Sequence, residues 1–317
     1  NMLDPAPYDG ILYSLGKFLT KMRLDTDTLK LKGFNDIKEY LKIKGKIKVM
    51  GDCGAFSYKH YEFPPQPFFD VKNVAKIYDE LNFDLGVSVD HVVVNTIKNQ
   101  NNGNTQKIQL SNEDKMKRIK ITIENAKDFL RIHKKEKYEF TPIGVAQGYN
   151  IETYESSIKS LIDLGYEYVA LGSLIQYDTS FIVELLEKIE DLTCNTDLHL
   201  FGISRPEGLD KFKKFGVTSF DSASYFRKAF LDANKNYLSP SGMWYSAIRV
   251  PYSFNKNLVQ NAKDCGYTIS TLERMESRAL SDLFKYEKEA ITIDEVLKSV
   301  VKYDRILLRK KGDIEQL

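Results

Sequence analysis

Five places in this 317-residue chain set a polar or small residue directly after a short apolar run: Gly51-Asp52-Cys53-Gly54, Asp90-His91, Gln147-Gly148, Gly172-Ser173 and Asp221. Their types suit acid–base and nucleophilic chemistry. One ionised carboxylate can attack an electrophilic carbon, and a second carboxyl can carry a proton to or from a leaving group. A third carboxylate with an amide can hold a polar ligand by its donors and acceptors. Singly, each residue is weak evidence, because an aspartate after a strand is more often a helix cap or a turn residue. The constellation gains meaning only if the five strand ends meet.

The elements that would bring them together can be read from the apolar pattern. Gly10 to Leu15, Ile47 to Met50, Leu85 to Val89, Phe140 to Ala146, Tyr168 to Leu171, Leu198 to Ile203 and Val217 to Phe220 read as strands. Between them, Val71 to Leu81, Glu113 to His133, Ile151 to Leu164, Ser180 to Leu192 and Glu207 to Phe215 carry helical spacing, with Pro206 opening the last. Several of these strands follow one another at roughly 30 residues, the repeat of strand–helix units that closes a TIM (β/α)8 barrel, in which strand ends converge at one mouth. A doubly wound open sheet competes, but there is no Gly-x-Gly-x-x-Gly turn after a strand and no phosphate loop. The polar tract from Asn95 to Asn112 reads as a loop or mobile insertion. After Pro251 the chain reads as helical, most clearly over Thr271 to Glu289 and Thr292 to Tyr303. No linker is evident, so residues 1–317 are expected to form one domain, a barrel over about 8–250 with helical extension over about 251–317.

Composition narrows the classes. With 42% hydrophobic and 28% charged residues the chain is neither disordered nor fibrous. Lys and Arg (46) nearly balance Asp and Glu (44), so a polyanionic partner would need a local basic surface. Lys30 to Lys48, Arg131 to Lys137, Lys213-Lys214, Arg227-Lys228 and Arg309 to Lys311 are the local runs, each more often a solvated face than a binding site. Three cysteines, Cys53, Cys194 and Cys265, are too few and too scattered for a disulfide framework, which fits a reducing, cytoplasmic setting. No stretch approaches the roughly 20 apolar residues of a membrane span, so no membrane role is expected.

In order and wording the strand-end motifs resemble the tRNA-guanine transglycosylase superfamily. Asp52-Cys53-Gly54-Ala55-Phe56-Ser57 is similar to its Asp-Ser-Gly-Gly-Phe-Gln, and Ala146-Gln147-Gly148 to its Val-Gln-Gly. Ala170-Leu171-Gly172-Ser173-Leu174 resembles Ala-Ile-Gly-Gly-Leu, and Gly202-Ile203-Ser204-Arg205-Pro206 resembles Gly-x-Gly-x-Pro. Phe220-Asp221-Ser222-Ala223 matches the Phe-Asp-Cys that carries the nucleophile. Carried over residue by residue, the resemblance implies a base exchange. Asp221 attacks the anomeric carbon, guanine leaves, the sugar is held as an ester, and a second base replaces it, with Asp52 as acid/base. It further implies that Asp90 accepts hydrogen bonds from the guanine-type edge, and that Gln147, Gly148, Gly172 and Ser173 complete the base site. Phe56 and Tyr149 are candidates to stack on the base. His91 is expected to be structural, and Arg205, Arg227 and Lys228 to meet phosphates flanking the reacting nucleotide.

The match also has gaps. The tRNA enzymes carry Cys-x-Cys-x-x-Cys and a later histidine after the nucleophile. This chain has only Cys265 there, and its last histidine, His199, precedes Asp221. No zinc subdomain, metal or cofactor is therefore expected. The departures lean toward the branch that inserts 7-deazaguanine bases into DNA in phages and bacteria. DNA stands ahead of tRNA as the polymer, with a 7-deazaguanine base as the small-molecule substrate. A tRNA enzyme and a catalytically silent barrel subunit are the alternatives, and a protein partner or homodimer stays open.

Overall fold

The computed structural model describes residues 8–16, 33–43, 45–101, 104–232, 235–246, 250 and 256–308. Its contacts divide the chain into two compact units, Asn1–Ser224 and Tyr225–Leu317. All five strand-end motifs fall in the first. Seven strands there, β1 (Gly10–Ser14), β2 (Lys48–Asp52), β3 (Leu85–Val87), β6 (Thr141–Ala146), β7 (Tyr168–Leu171), β8 (Asp197–Leu200) and β9 (Val217–Phe220), form one curled sheet in the order β1-β2-β3-β6-β7-β8-β9. Every neighbouring pair is parallel. These are the seven strands expected from the apolar runs, and the fold is α/β of the TIM-barrel type. A pairing of β9 back to β1 is not found among the described residues.

Over β2, β3, β6, β7 and β8 both faces of the sheet are covered, which is why these strands read as nearly continuous apolar runs. Met50, Val87, Ile143, Val145 and Ala170 pack together on one face. The residues between them turn outward: Val49 joins the cluster under the first helices, and Val169, Leu171, Leu198 and Leu200 join the next. By the same alternation His199, whose registered neighbour on β7 is Ala170, lies on the inner face.

The covering helices begin where the sequence places caps. Asp70 caps α2 (Val71–Glu80), after the short α1 (Ile37–Tyr40) capped by Asp36. Ser111 with Asp114, and Asn150 with Thr153, form capping boxes on α3 (Asn112–Glu136) and α4 (Ile151–Leu164). Asp178 caps α5 (Thr179–Ile189). Pro206 opens a 3-10 turn, Pro206–Gly208, that runs into α6 (Leu209–Lys214).

One expectation is corrected. The polar tract after β3 is an antiparallel hairpin, β4 (Thr96–Asn101) with β5 (Asn104–Gln109), in which Ile97 pairs with Ile108. With one isoleucine per strand it shows almost no apolar alternation, yet Asn102-Gly103 between the strands is a strong two-residue hairpin signal.

The second unit holds α7 (Ser224–Leu231), a small hairpin of β10 (Tyr237–Leu238) and β11 (Trp244–Tyr245), and helices α8 (Lys256–Asp264), α9 (Ile269–Glu287) and α10 (Ile293–Leu308). The last two are the helices expected in the tail. Leu272, Ala279, Val296, Val300 and Tyr303 give this unit a core of its own. No helix among the described residues is long and apolar enough to cross a membrane. Of the basic runs, Lys30 to Lys32, Lys44 and Arg309 to Lys311 lie outside the described residues.

Candidate active site

The ends of β3, β6 and β7 meet in a buried polar cluster. Gln147, just past β6, donates from Nε2 to Oδ2 of Asp90 at 2.6 Å. Its Oε1 accepts from the Ser173 hydroxyl at 2.6 Å and from the Val93 amide at 3.4 Å. Ser173 in turn accepts from the Val93 N–H at 3.0 Å. Gly172 is needed here, because a Cβ at that position would lie 2.3 Å from Gln147 Nε2. Gly148 serves a neighbouring purpose, since a Cβ there would meet the Tyr154 ring at 2.6 Å, and the Tyr154 hydroxyl bonds the Gly172 carbonyl at 2.7 Å. Asp90, Gln147, Gly148, Gly172 and Ser173 are thus brought into one place.

Asp90 also meets the end of β2. The Cys53 thiol donates to Asp90 Oδ1 at 3.2 Å, and the Tyr58 hydroxyl to the Asp90 carbonyl at 2.7 Å. Burial, with the charge of Asp52 added, pushes the Asp90 carboxyl up to about 7, against the pull of the Cys53 and Gln147 bonds. Burial likewise pushes the Cys53 thiol well up, so it serves as an S–H donor. One atom each of Asp52, Cys53 and Asp90 lies within 4.8 Å of the others, the one such grouping of potential metal ligands among the described residues. A protonated thiol suits the hydrogen-bonding role better than ligation.

Asp52 ends β2, paired in register with Ser14 at the end of β1. Burial raises its carboxyl, bonds from the Gly54 amide and the Ser14 hydroxyl oppose this, and the Asp221 charge adds to the rise. Gly54 adopts φ +88°, and a Cβ on it would come within 2.8 Å of Ser14 Oγ. Asp221 follows β9. Its Oδ1 accepts the Gly202 N–H at 2.9 Å and pairs with Nε2 of His199 at 3.3 Å, while 29% of the side chain stays exposed. Two carboxyl groups that influence each other electrostatically, one raised by burial and one accepting the Gly202 N–H beside His199, are equipped for a retaining glycosyl transfer.

The remaining expected residues are placed differently. Phe56 is 58% exposed, with Lys59 Nζ 4.0 Å from its ring centroid. Lys115 Nζ stands 5.5 Å from the ring of Tyr149. His91 faces the Tyr61 carbonyl and Arg118, and burial, with the Arg118 charge added, lowers it to about 4, so it is neutral. Arg205 bonds Thr179 Oγ1 at 3.2 Å and the Tyr177 carbonyl. Arg227 and Lys228 belong to the second unit, on α7, where Lys228 Nζ sits 4.0 Å over the Trp244 ring. Sequence reasoning passed over Ser14, Cys53 and His199 as site residues. The available signal was a histidine between two core leucines on a strand.

No family model matches the chain. It is 34% identical over 311 residues to the "DNA-guanine transglycosylase" of Salmonella montevideo, an alignment covering 95% of this chain and 72% of that protein. It is 22% identical to the "tRNA-guanine(15) transglycosylase" of Methanococcus aeolicus, over 82% of this chain and 39% of that one. To the protein of the same name from Nanoarchaeum equitans it is 26% identical, over 65% of this chain and 50% of that one. The chain thus spans half or less of the two archaeal proteins.

Proposed function

Because the chain belongs to the guanine transglycosylase family, we propose that it exchanges guanine in DNA for another purine-type base through a covalent Asp221–sugar ester. The observation that carries this reading is the pairing of Asp52, raised by burial and by Asp221, with an Asp221 side chain that accepts the Gly202 N–H, faces His199 Nε2 and is still accessible.

In the first step Asp221 Oδ bonds to the anomeric carbon as the bond from that carbon to the guanine nitrogen breaks, and the proton on Asp52 passes to the departing base. In the second, the incoming base gives its ring N–H proton to Asp52, attacks the same carbon and releases Asp221. No net proton or electron is consumed. Asp90, Gln147 and Ser173 receive the base edge, and Phe56 offers an exposed aromatic face for stacking. A base with adjacent N–H donors suits a carboxylate acceptor, which supports guanine out and a 7-deazaguanine in. The nucleotide must leave its stack to reach these groups. Arg205 and, in the second unit, Arg227 and Lys228 are each assigned to backbone phosphates, contacts that position without reading sequence. Three free cysteines support a reducing, cytoplasmic compartment.

The test supplies purified protein with radiolabelled guanine and either duplex DNA or bulk tRNA, and follows label in the polymer. Label in DNA alone is expected. Label in tRNA alone would select the polymer named for the archaeal relatives, and label in neither would favour a silent subunit.

A further inference from the structure

Behind Asp221 runs a line of hydrogen bonds that none of the roles above uses. His199 Nε2 faces Asp221 Oδ1 at 3.3 Å, His199 Nδ1 faces the Ser219 hydroxyl at 2.6 Å, and that hydroxyl faces the Tyr168 hydroxyl at 2.5 Å. The three residues stand on adjacent strands: His199 and Ser219 are registered partners of β8 and β9, and Tyr168 opens β7. Ser219 and Asp221 lie two apart, so the period of the strand puts both on one face. His199 is 2% exposed, next to an inner layer of Met50, Val87, Ile143 and Ala170. Polar groups in such a layer are costly unless each is paired, and here the line is paired from end to end.

Each bond along the line can run either way, and an ionised Asp221 selects between the two directions. Read from Tyr168, the phenol donates to Ser219, Ser219 donates to His199 Nδ1, and the ring is left with its proton on Nε2, aimed at Asp221. Read the other way, the ring would turn a lone pair toward a carboxylate. We infer that Tyr168, Ser219 and His199 form a positioning relay that presents an N–H to Asp221 Oδ1, fixing the carboxylate so that its other oxygen is the one that meets the sugar. The second donor on Oδ1, the Gly202 amide, makes the same choice of oxygen, and Oδ2 takes no hydrogen bond from the described residues. When the ester forms through Oδ2, the remaining carbonyl oxygen keeps both donors, and neither has to move between the two half-reactions. The inference rests on Asp221 being the nucleophile, and it extends that assignment to the order of the groups behind it.

The test is the single-turnover rate of covalent protein–DNA adduct formation for H199F, H199Q and S219A, with the KM for DNA measured alongside and D221A as the control. H199F should slow adduct formation by about 10- to 100-fold, the range for a lost bond to a charged group, with KM for DNA unchanged. H199Q, which keeps an amide donor, should recover most of that loss, and S219A should fall between wild type and H199F. A wild-type rate in H199F, or equal losses in H199F and H199Q, would overturn the relay while an inactive D221A left the nucleophile assignment standing. Full activity in D221A would instead overturn the functional reading itself.

Discussion

Around Gln147 both ends of the amide are committed: Asp90 takes its N–H, and Ser173 and Val93 fill its oxygen. At Asp221 both donors fall on one oxygen and nearly a third of the side chain meets solvent. The first region is closed on itself and buried, the second is held from behind and open in front. A site made this way is preorganised, but a guest must replace existing partners, so only a guest offering equivalent donors and acceptors is favoured. A reacting carboxylate needs the opposite, an orientation that is set and a lone pair that is free to attack. Under the proposed function, the contrast would put kcat on the Asp52–Asp221 side and base affinity on the Asp90–Gln147 side.

The sharpest way to break that division is Asp221→Ala. It should lower exchange by roughly 10^4-fold or more and abolish the denaturation-resistant protein–DNA adduct on gels, while binding of free guanine stays within about threefold of wild type. Adduct formation at the wild-type rate would remove Asp221 from the chemistry. Asp52→Asn follows, with an expected loss of about 10²- to 10⁴-fold in kcat and little change in the KM for base. A rise in KM with kcat preserved would move Asp52 into the recognition half, next to the Asp90 whose carboxyl it already raises.

The fold was legible because both faces of the sheet are covered over β2, β3, β6, β7 and β8. A run such as Tyr168–Leu171 is apolar enough to be bounded to the residue, and caps such as Asn150 mark where the helices start. The β4–β5 hairpin escaped because its alternation carries a single isoleucine per strand and its strands belong to none of the apolar clusters. The strand-end residues Asp52, Asp90, Gln147 and Asp221 could be named from type and position, since a barrel brings strand ends together. Their partners could not. Ser14 reaches Asp52 only through the parallel register of β1 with β2, and His199 reaches Asp221 only through that of β8 with β9. Register is a long-range property that an apolar pattern does not encode. Arg205 adds a contact its charge did not announce, its guanidinium bonding the Tyr177 carbonyl and the Thr179 hydroxyl at the start of α5.

On the recognition side, Gly172→Ala should act through Gln147. The added methyl would occupy space 2.3 Å from Nε2, so the amide must swing away and release Asp90. The displaced amide leaves the base edge it is proposed to receive without its partner, at a cost of about 1–3 kcal/mol, which predicts a rise of roughly 10- to 100-fold in the KM for base at nearly constant kcat. A matching fall in kcat would mean that the two regions are mechanically one.

The mildest effect concerns protons. Asp90 is raised to about 7 by burial and by Asp52, so in the empty site it is largely protonated at pH 6 and largely ionised at pH 8. A base offering two adjacent N–H donors needs the ionised form, so the sign is fixed: base affinity should weaken as pH falls through 7 and level off above it. Between pH 8 and pH 6 the expected change is about tenfold, since each pH unit below the pKa costs up to a factor of ten. Calorimetric titration of guanine at several pH values, in two buffers of different ionisation enthalpy, reads both the affinity and the proton released on binding. Asp90→Asn should bind more weakly at pH 8 and lose the slope. A flat profile in the wild-type protein would place the acceptor elsewhere, and a slope that survives Asp90→Asn but disappears in Asp52→Asn would assign the proton to the neighbouring carboxyl, merging the two halves of the site through their shared charge.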